Sequence, residues 1–564
     1  MKKKLITRVV ALLVCLFVIT QALTGCAATL LSLVFYAGIP SLINQNTPDP
    51  DLEFVYEQKD YDQLLEKQSK LEDLLKDPDS ASFNDLYNTF VDYLTDYMYM
   101  LDQYELSSIL SYCYGADEEI DADYLLMDER YNAQYAKIGS YYLTLYESKH
   151  RDAFFSDWDE DSIRRMVTKG KSTDPRIEEI NSANTELDLQ QTKLDTSSAT
   201  FVADTYALYA QFVHNNRELA SLYGYSNFYD YQADLTFTRD YSLEQMRAFT
   251  ESAAKNAVPT MNELVIAYSG LMNSLNTIEE DQIRKLTEQS FYEADNAKKI
   301  SSFLTWENPE IIDYYNRLGE WDCIFRGLEE NEAQPAAFTV FLNWNGVPAL
   351  YFGPGYDDAF TFIHEFGHAF NMASTYDSEI SLSLDLMEVM SQAHEMLFLA
   401  YLAPEFNTVP YRVLRLEKIL DSLQVIVLSS FVADFEYEVY TSEKELSIAD
   451  YSKVIDELLA DRYVGLADLY GRDVLESYIC MVTMDAPCYY ISYATSLMPC
   501  LELERIAHED SLDKAEEIYF KMTTTGDKNF LALTEYVGLE DPLDAKTFES
   551  LCSYYKSWAQ SNSK

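Results

Sequence analysis

Two histidines four residues apart could bind a metal ion in this sequence. They are His364 and His368, in the segment HEFGH of a chain with only six histidines. On a helix both imidazoles would lie on one face, one turn apart, and could bind the same ion. Glu365 would lie about 100° around the helix from His364 and could take a proton from a water on that ion. The segment therefore predicts a metal site with its own general base.

Two neighbouring features favour a helix at this motif. Asp357 and Asp358 precede it and can cap the N-terminus of a helix. Gly367 lies inside the motif, where a glycine costs about 1 kcal/mol relative to alanine. That cost indicates a reason for the glycine, such as close approach by another backbone.

A third ligand is expected on the apolar segment that starts about twenty residues further on. Its polar residues recur at helical spacing, and they are Asp385, Glu388, Gln392 and Glu395. A buried carboxylate without a partner is costly, and a metal ion removes that cost. We therefore predict Glu388 as the third ligand and Asp385 as a group that orients a ligating imidazole. A buried polar network without metal is the alternative reading, Glu395 is an alternative ligand, and His394 has no assigned role.

The elements that would position these residues are mainly helices. Apolar residues recur at intervals of three and four from Leu86 to Leu101, and Ser82 can cap that helix. Residues 338–344 are rich in β-forming side chains, and Asn345-Gly346 is a hairpin turn signal. Pro348 predicts that the second arm is an edge strand. We thus expect a small β-sheet next to the HEFGH helix.

Composition limits the possible partners. The 564 residues include 94 acidic and 42 basic side chains, which gives a formal net charge of −52. Phosphate binding needs clustered Lys and Arg, so nucleic acid is not an expected partner. A soluble acidic surface explains most of the charge, and a preference for basic substrates is the alternative. The hydrophobic fraction of 48% is enough for a globular fold.

The N-terminus is typical of an exported protein. Basic residues precede an apolar stretch at residues 9–19, which is the order of an export signal. The following LTGC resembles the lipobox of bacterial lipoproteins, which implies cleavage before Cys26 and lipid attachment to its sulfur. Residues 1–26 are therefore predicted to be a signal peptide with a lipobox.

The stretch after Cys26 leaves a second type of anchor open. Residues 27–53 are predicted to be a membrane-proximal linker, yet residues 27–39 are apolar again. An uncleaved membrane-spanning helix is the alternative. Either anchor places the protein at the outward face of a bacterial cell membrane. Six cysteines follow Cys26; buried small side chains are expected, and a disulfide among Cys480, Cys488 and Cys500 is the alternative.

The motifs together resemble the M3-type zinc oligopeptidases, the family that includes thimet oligopeptidase and oligoendopeptidase F. The resemblance lies in residues 364–368, in the spaced Asp385, Glu388, Ser391 and Gln392, and in residues 215–246 and 487–496. It implies one zinc ion per chain and short peptide substrates. It also implies a mainly α-helical, two-lobed fold around a deep central channel. We expect a helical N-terminal domain at residues 54–200 and a zinc peptidase catalytic domain at residues 201–560.

One part of the family pattern is missing. Members use a histidine and tyrosines from a C-terminal helix to stabilise the oxyanion, but residues 470–500 contain no histidine. Tyr489 and Tyr493 are four apart and are the candidates for this catalytic role. Packing is the alternative for either ring, because aromatic side chains are chiefly core material.

These observations predict a membrane-anchored zinc endopeptidase that cleaves oligopeptides. His364, His368 and Glu388 would hold the zinc, and Glu365 would act as general base on zinc-activated water and then protonate the leaving amine. The strand around residues 349–352 could align the substrate as an added strand. The alternatives are a carboxypeptidase or dipeptidyl carboxypeptidase of the same fold, or a non-catalytic peptide-binding lipoprotein. The oligomeric state is left open.

Overall fold

The computed structural model describes residues 61–562, apart from residues 116, 157, 159, 376–382, 405–407 and 485. The predicted signal peptide, lipobox and linker lie outside the described residues. Helices dominate, which confirms the predicted fold class. Among the described helices, none combines the length and the apolar character that a membrane span requires.

The helices before the sheet form the first half of the molecule. They are α1 (Tyr61–Leu75), α2 (Phe83–Cys113), α3 (Glu118–Glu147), α4 (Arg151–Phe154), α5 (Glu160–Lys169), α6 (Pro175–Gln191), α7 (Phe201–Tyr223), α8 (Phe228–Tyr231), α9 (Leu243–Met272), α10 (Thr277–Glu288), α11 (Ala294–Glu307) and α12 (Pro309–Glu320). Ser82 caps α2 by accepting a hydrogen bond from the Asp85 N–H, as predicted. A π-helical turn at Gln232–Thr236 follows α8.

The helices after the sheet carry most of the candidate site. They are α13 (Ala359–Thr375), α14 (Leu384–Leu402), α15 (Thr408–Thr441), α16 (Ile448–Asp461), α17 (Leu466–Tyr470), α18 (Arg472–Val482), α19 (Ile491–Glu509), α20 (Leu512–Thr523), α21 (Phe530–Val537) and α22 (Ala545–Asn562). Helix α14 packs against both α13 and α19. The two predicted ligand-bearing segments are therefore neighbouring helices.

A three-stranded sheet lies beside α13, as predicted. Its strands are β1 (Ile324–Arg326), β2 (Ala337–Leu342) and β3 (Val347–Phe352). Strands β2 and β3 form an antiparallel hairpin, and β1 pairs with β3 in parallel. The predicted edge position of β3 is wrong, because β3 lies between β1 and β2. Proline is tolerated there because β1 pairs only with Leu350–Phe352, beyond Pro348.

The buried hydrophobic residues form two clusters. The smaller cluster extends from Leu64 to Met166 and joins the first five helices. The larger cluster begins at Leu106 in the C-terminal half of α2 and continues to Ala559. Helix α2 therefore contributes to both clusters. The predicted domain boundary at residue 200 stays a prediction.

Buried Asp102 of α2 joins the smaller cluster to the sheet. Its carboxylate accepts hydrogen bonds from the backbone N–H groups of Trp344 and Asn345 at 3.0 and 3.1 Å, and from the Asn345 side chain at 2.8 Å. Burial raises the pKa of Asp102 to about 7, although these three donors oppose the shift. The β2–β3 turn is thus tied to α2.

Candidate metal centre

Helix α13 begins at a side-chain cap and packs very closely on α14. The Asp358 carboxylate accepts hydrogen bonds from the Phe360 N–H at 2.8 Å and from the Thr361 hydroxyl at 2.6 Å, as predicted for a cap. A Cβ added at Gly367 would lie 2.8 Å from the carbonyl oxygen of Met390. Gly367 therefore lets the backbones of α13 and α14 approach closely, as the sequence predicted.

The structure brings together the three side chains predicted as metal ligands. Candidate ligand atoms of His364, His368 and Glu388 all lie within 4.8 Å of one another. The rings of the two histidines are 5.0 Å apart, and Glu388 comes from the adjacent helix α14. Two imidazoles and one carboxylate are the ligand set of many catalytic zinc sites.

Unsatisfied buried atoms show that these residues fit a cation. Neither ring nitrogen of His368 has a hydrogen-bond partner of ordinary geometry among the described residues. Burial, and then the charge of His364, lower the pKa of His368 well below its usual value. Within the described part of the chain, the Oε2 atom of Glu388 also has no hydrogen-bond partner. Buried polar atoms are rarely left unpaired, so a divalent cation would satisfy this set.

A carboxylate orients the first histidine, but it is not the one predicted. His364 Nδ1 lies 2.8 Å from Glu395 Oε1, and Lys418 of α15 forms an ion pair with the other oxygen of Glu395. Burial opposes ionisation of Glu395, but Lys418 and His364 lower its pKa to about 2. An ionised Glu395 holds the proton on Nδ1 and leaves Nε2 for a metal.

The predicted role of Asp385 as the group that orients an imidazole is therefore wrong. Its carboxylate instead accepts hydrogen bonds from Tyr241 at 2.7 Å and Ser492 at 3.1 Å, and also from Thr495. Arg239 completes this buried network, with Nε 3.4 Å from Asp385 Oδ2. Asp385 thus joins α14 to α19 rather than to α13.

Glu365 is fixed by a side chain from the sheet. The Thr339 hydroxyl of β2 lies 2.8 Å from Glu365 Oε2 and 3.0 Å from the backbone carbonyl of Glu365. Burial raises the pKa of Glu365, although the charge of His364 and the Thr339 hydrogen bond oppose the rise. Glu365 and His364 both line a cavity of about 420 Å³.

The two tyrosines predicted to stabilise the oxyanion lie against the ligand cluster. The Tyr489 hydroxyl donates a hydrogen bond to Glu388 Oε1 at 3.2 Å. The Tyr493 ring meets the Tyr489 ring edge-on, with 4.8 Å between centroids. Both side chains are 1% exposed. Tyr489 therefore contacts the third candidate ligand, and the oxyanion role of both residues stays a prediction.

His394, which had no predicted role, connects α14 to three other helices. Its Nε2 lies 2.9 Å from the Glu307 carboxylate of α11, and its Nδ1 lies 3.0 Å from the Ile363 carbonyl of α13. The ring also stacks on Tyr519 of α20 at 5.1 Å. His394 therefore stabilises the packing behind the ligands and is not one of them.

Comparisons with known proteins agree with this site. Residues 313–534 match the profile of peptidase family M3. The chain has a TM-score of 0.66 and 16% identity to PZ peptidase A with an inhibitor, over 91% of this chain and all of that one. It has a TM-score of 0.65 and 15% identity to a proposed oligoendopeptidase F from Bacillus anthracis strain Ames, over 92% and 99%. No curated protein matches the chain by sequence.

The two structural likenesses are too distant in sequence to show more than the fold. The profile match covers the region that holds all three candidate ligands and Glu365. Residues 313–534, the segment that carries the site, are therefore similar to peptidase family M3.

Proposed function

We propose that the protein is a zinc endopeptidase that hydrolyses internal bonds of short oligopeptides. The main support for this proposal is that candidate ligand atoms of His364, His368 and Glu388 all lie within 4.8 Å of one another. Glu365 lies next to His364 on the wall of the same cavity. Three protein ligands leave the fourth position of a tetrahedral zinc site for substrate or water, which is typical of a catalytic site.

The side chains around the ligands have distinct roles in this proposal. When bound, zinc supplies Lewis acidity, which makes water a stronger acid and polarises a peptide carbonyl. Glu365 takes the proton from the attacking water and delivers it to the leaving amine. Thr339 anchors one oxygen of the Glu365 carboxylate, so that the other can exchange the proton. Tyr489 and Tyr493 are the candidates that donate to the oxyanion.

Strand β2, rather than β3, is the candidate for aligning the peptide. Each residue of Leu350–Phe352 pairs with both neighbouring strands, which leaves no backbone edge for a substrate. Strand β2 is at the edge of the described sheet, and its Ala337 lines the cavity beside Glu365. An extended peptide added to β2 would pass close to the ligands.

The charge of the cavity favours an endopeptidase over a carboxypeptidase. Holding a substrate's terminal carboxylate requires a cationic group that is free to bind it. Among the described residues that line the cavity, Lys418 is the one lysine or arginine, and it is already paired with Glu395. The terminal carboxylate of a peptide substrate would therefore gain little binding energy in this cavity.

A peptide blocked at both ends tests the mode of cleavage. We expect an acetylated and amidated oligopeptide to be cut at internal bonds about as fast as the same peptide with free ends. Mass spectrometry of the products measures this. Cleavage of only the free-ended peptide would indicate the carboxypeptidase alternative, and cleavage of neither would indicate a peptide-binding protein.

The membrane anchor is a second part of the proposal. The support is the LTGC segment that follows an export signal in the sequence. We expect the full-length protein to incorporate radiolabelled palmitate and to sediment with membranes, and a Cys26→Ser variant to incorporate none. Equal labelling of the two proteins would contradict lipidation at Cys26. Membrane retention of an unlabelled wild type would favour the spanning helix.

A further inference from the structure

Cys488 has a backbone conformation that is unusual for its residue type. Its φ is +64°, in the left-handed region that favours glycine. In this region Cβ of an L-residue lies too close to the neighbouring carbonyl oxygen, and such residues persist only where surrounding contacts enforce them. Cys488 directly precedes Tyr489, whose hydroxyl contacts the candidate ligand Glu388.

Two buried polar side chains hold the two ends of Cys488. Glu436 of α15 accepts a hydrogen bond from the Cys488 N–H at 2.7 Å. Arg239 donates from Nη2 to the Cys488 carbonyl oxygen at 2.8 Å. The Glu436 residue is 1% exposed, and so is the Arg239 side chain. Both groups reach Cys488 from distant parts of the chain.

One polar atom of each side chain has no hydrogen-bond partner in the described part of the chain, although Arg239 also forms an ion pair with Asp385. Glu436 Oε2 and Arg239 Nη1 have no hydrogen-bond partner among the described residues. Buried polar atoms are rarely left unpaired, so side chains kept in this state indicate a specific contact elsewhere on the same group. Glu436 makes such a contact with the backbone N–H of Cys488.

The same contacts determine where the Tyr489 ring lies. Arg239 Nη2 is also 2.9 Å from the Ser492 hydroxyl and 3.5 Å from the Tyr489 carbonyl oxygen. The Tyr489 ring packs between Phe237 and Tyr493, with centroid distances of 5.7 and 4.8 Å. If residue 488 relaxed to an ordinary backbone conformation, the backbone at Tyr489 would run in a different direction and the Tyr489 ring would point elsewhere. The hydroxyl would then leave Glu388.

We propose that Glu436 and Arg239 are positioning residues that hold Cys488 in its left-handed conformation and thereby keep the Tyr489 hydroxyl on Glu388. The proposal rests on the proposed metallopeptidase function, because Glu388 is important there as a ligand. It assigns the two residues no contact with substrate or metal.

Substitution of Glu436 tests this proposal directly. We expect Glu436→Ala to lower kcat about 10- to 100-fold, the usual cost of losing an outer partner of a metal site. We expect KM to change less than about twofold, because substrate contacts are not altered. Burial raises the pKa of Glu436 to about 8, so glutamine resembles its protonated form and keeps the acceptor oxygen. Glu436→Gln should therefore retain most of the activity.

A second substitution separates positioning from general stability. Glycine adopts the left-handed region freely, whereas alanine keeps the Cβ that opposes it. In the Glu436→Ala background, Cys488→Gly should restore activity about five- to thirtyfold, the factor that corresponds to the left-handed penalty. Cys488→Ala in the same background is the matched control and should restore none. Equal effects of glycine and alanine would overturn the proposal.

A double-mutant cycle with Tyr489→Phe measures zinc binding and therefore does not depend on peptidase activity. Glu436→Ala and Tyr489→Phe should weaken zinc binding to a similar degree in a chelator competition, and the double variant should be no weaker than either. Additive losses would contradict positioning through Tyr489.

A crystal structure of the metal-free Glu436→Ala variant tests the idea even if the protein proves to have no peptidase activity. There, residue 488 should leave the left-handed region and the Tyr489 hydroxyl should lie beyond hydrogen-bonding distance of Glu388. An unchanged φ at residue 488 would overturn the proposal and leave the proposed function untouched.

Discussion

Glu365→Gln is expected to lower kcat about 10²- to 10⁴-fold, the range that a general acid–base group contributes. The substitution keeps the size of the side chain and an oxygen for Thr339, but it removes the group that exchanges a proton. KM and zinc content should stay near wild-type values, because neither contact depends on that proton. Steady-state kinetics on a fluorogenic oligopeptide, with zinc measured in each sample, checks this.

Glu310→Gln is the matched control for this prediction. Glu310 is an exposed glutamate on α12, outside the residues that line the cavity. Its substitution should leave kcat unchanged. A Glu365→Gln enzyme with wild-type kcat and full zinc would contradict the proton-transfer role. Loss of zinc from that variant would instead show that Glu365 helps to hold the ion.

Glu388→Ala is expected to abolish zinc binding at micromolar zinc and to reduce activity to background. It removes a candidate ligand outright, together with the carboxylate that accepts a hydrogen bond from Tyr489. The loss should exceed the 10- to 100-fold effect that is usual for an outer partner. His368→Ala should behave in the same way. Zinc affinity from chelator competition, measured beside kcat/KM, checks both variants.

Glu395→Gln is the informative comparison for the ligand variants. Glu395 contacts His364 Nδ1 rather than the space between the ligand atoms, so its substitution should weaken zinc only about 10- to 100-fold. If Glu395→Gln lost zinc completely while Glu388→Ala retained it, Glu395 would be the third ligand. The account of the site would then be wrong.

The parts of the site that sequence predicts are those with local periodicity. Two histidines four apart share a helix face whatever the tertiary fold is, and the Asp358 cap and Gly367 act within the same helix. Glu388 could be chosen because a carboxylate on a very apolar helix needs a partner. The mainly helical fold follows for the same reason, because the apolar spacing of three and four is a local signal.

The parts that sequence reasoning missed depend on contacts between distant segments. Asp385 lies one turn before Glu388, but that turn directs it to α19 and to Arg239, which is 146 positions away. Thr339 and Lys418 meet the site from β2 and α15, and nothing in their local sequence marks them. Strand β3 became central because β1, only three residues long, pairs beside it.

The Cys488 conformation shows the same limit most clearly. A cysteine gives no signal of a left-handed backbone, whereas a glycine at that position would have done so. The polar side chains that enforce it, those of Glu436 and Arg239, lie 52 and 249 residues away. Such sites become visible only when the tertiary structure places those groups together.

The central claim is that one metal ion is held jointly by α13 and α14. Anomalous diffraction from crystals of the zinc-loaded protein, collected on both sides of the zinc absorption edge, tests it most directly. The account predicts a single strong peak at about 2.0 to 2.2 Å from a nitrogen of His364, a nitrogen of His368 and an oxygen of Glu388. No peak between these side chains, or a zinc ion bound elsewhere with Glu388 still paired only to Tyr489, would contradict it.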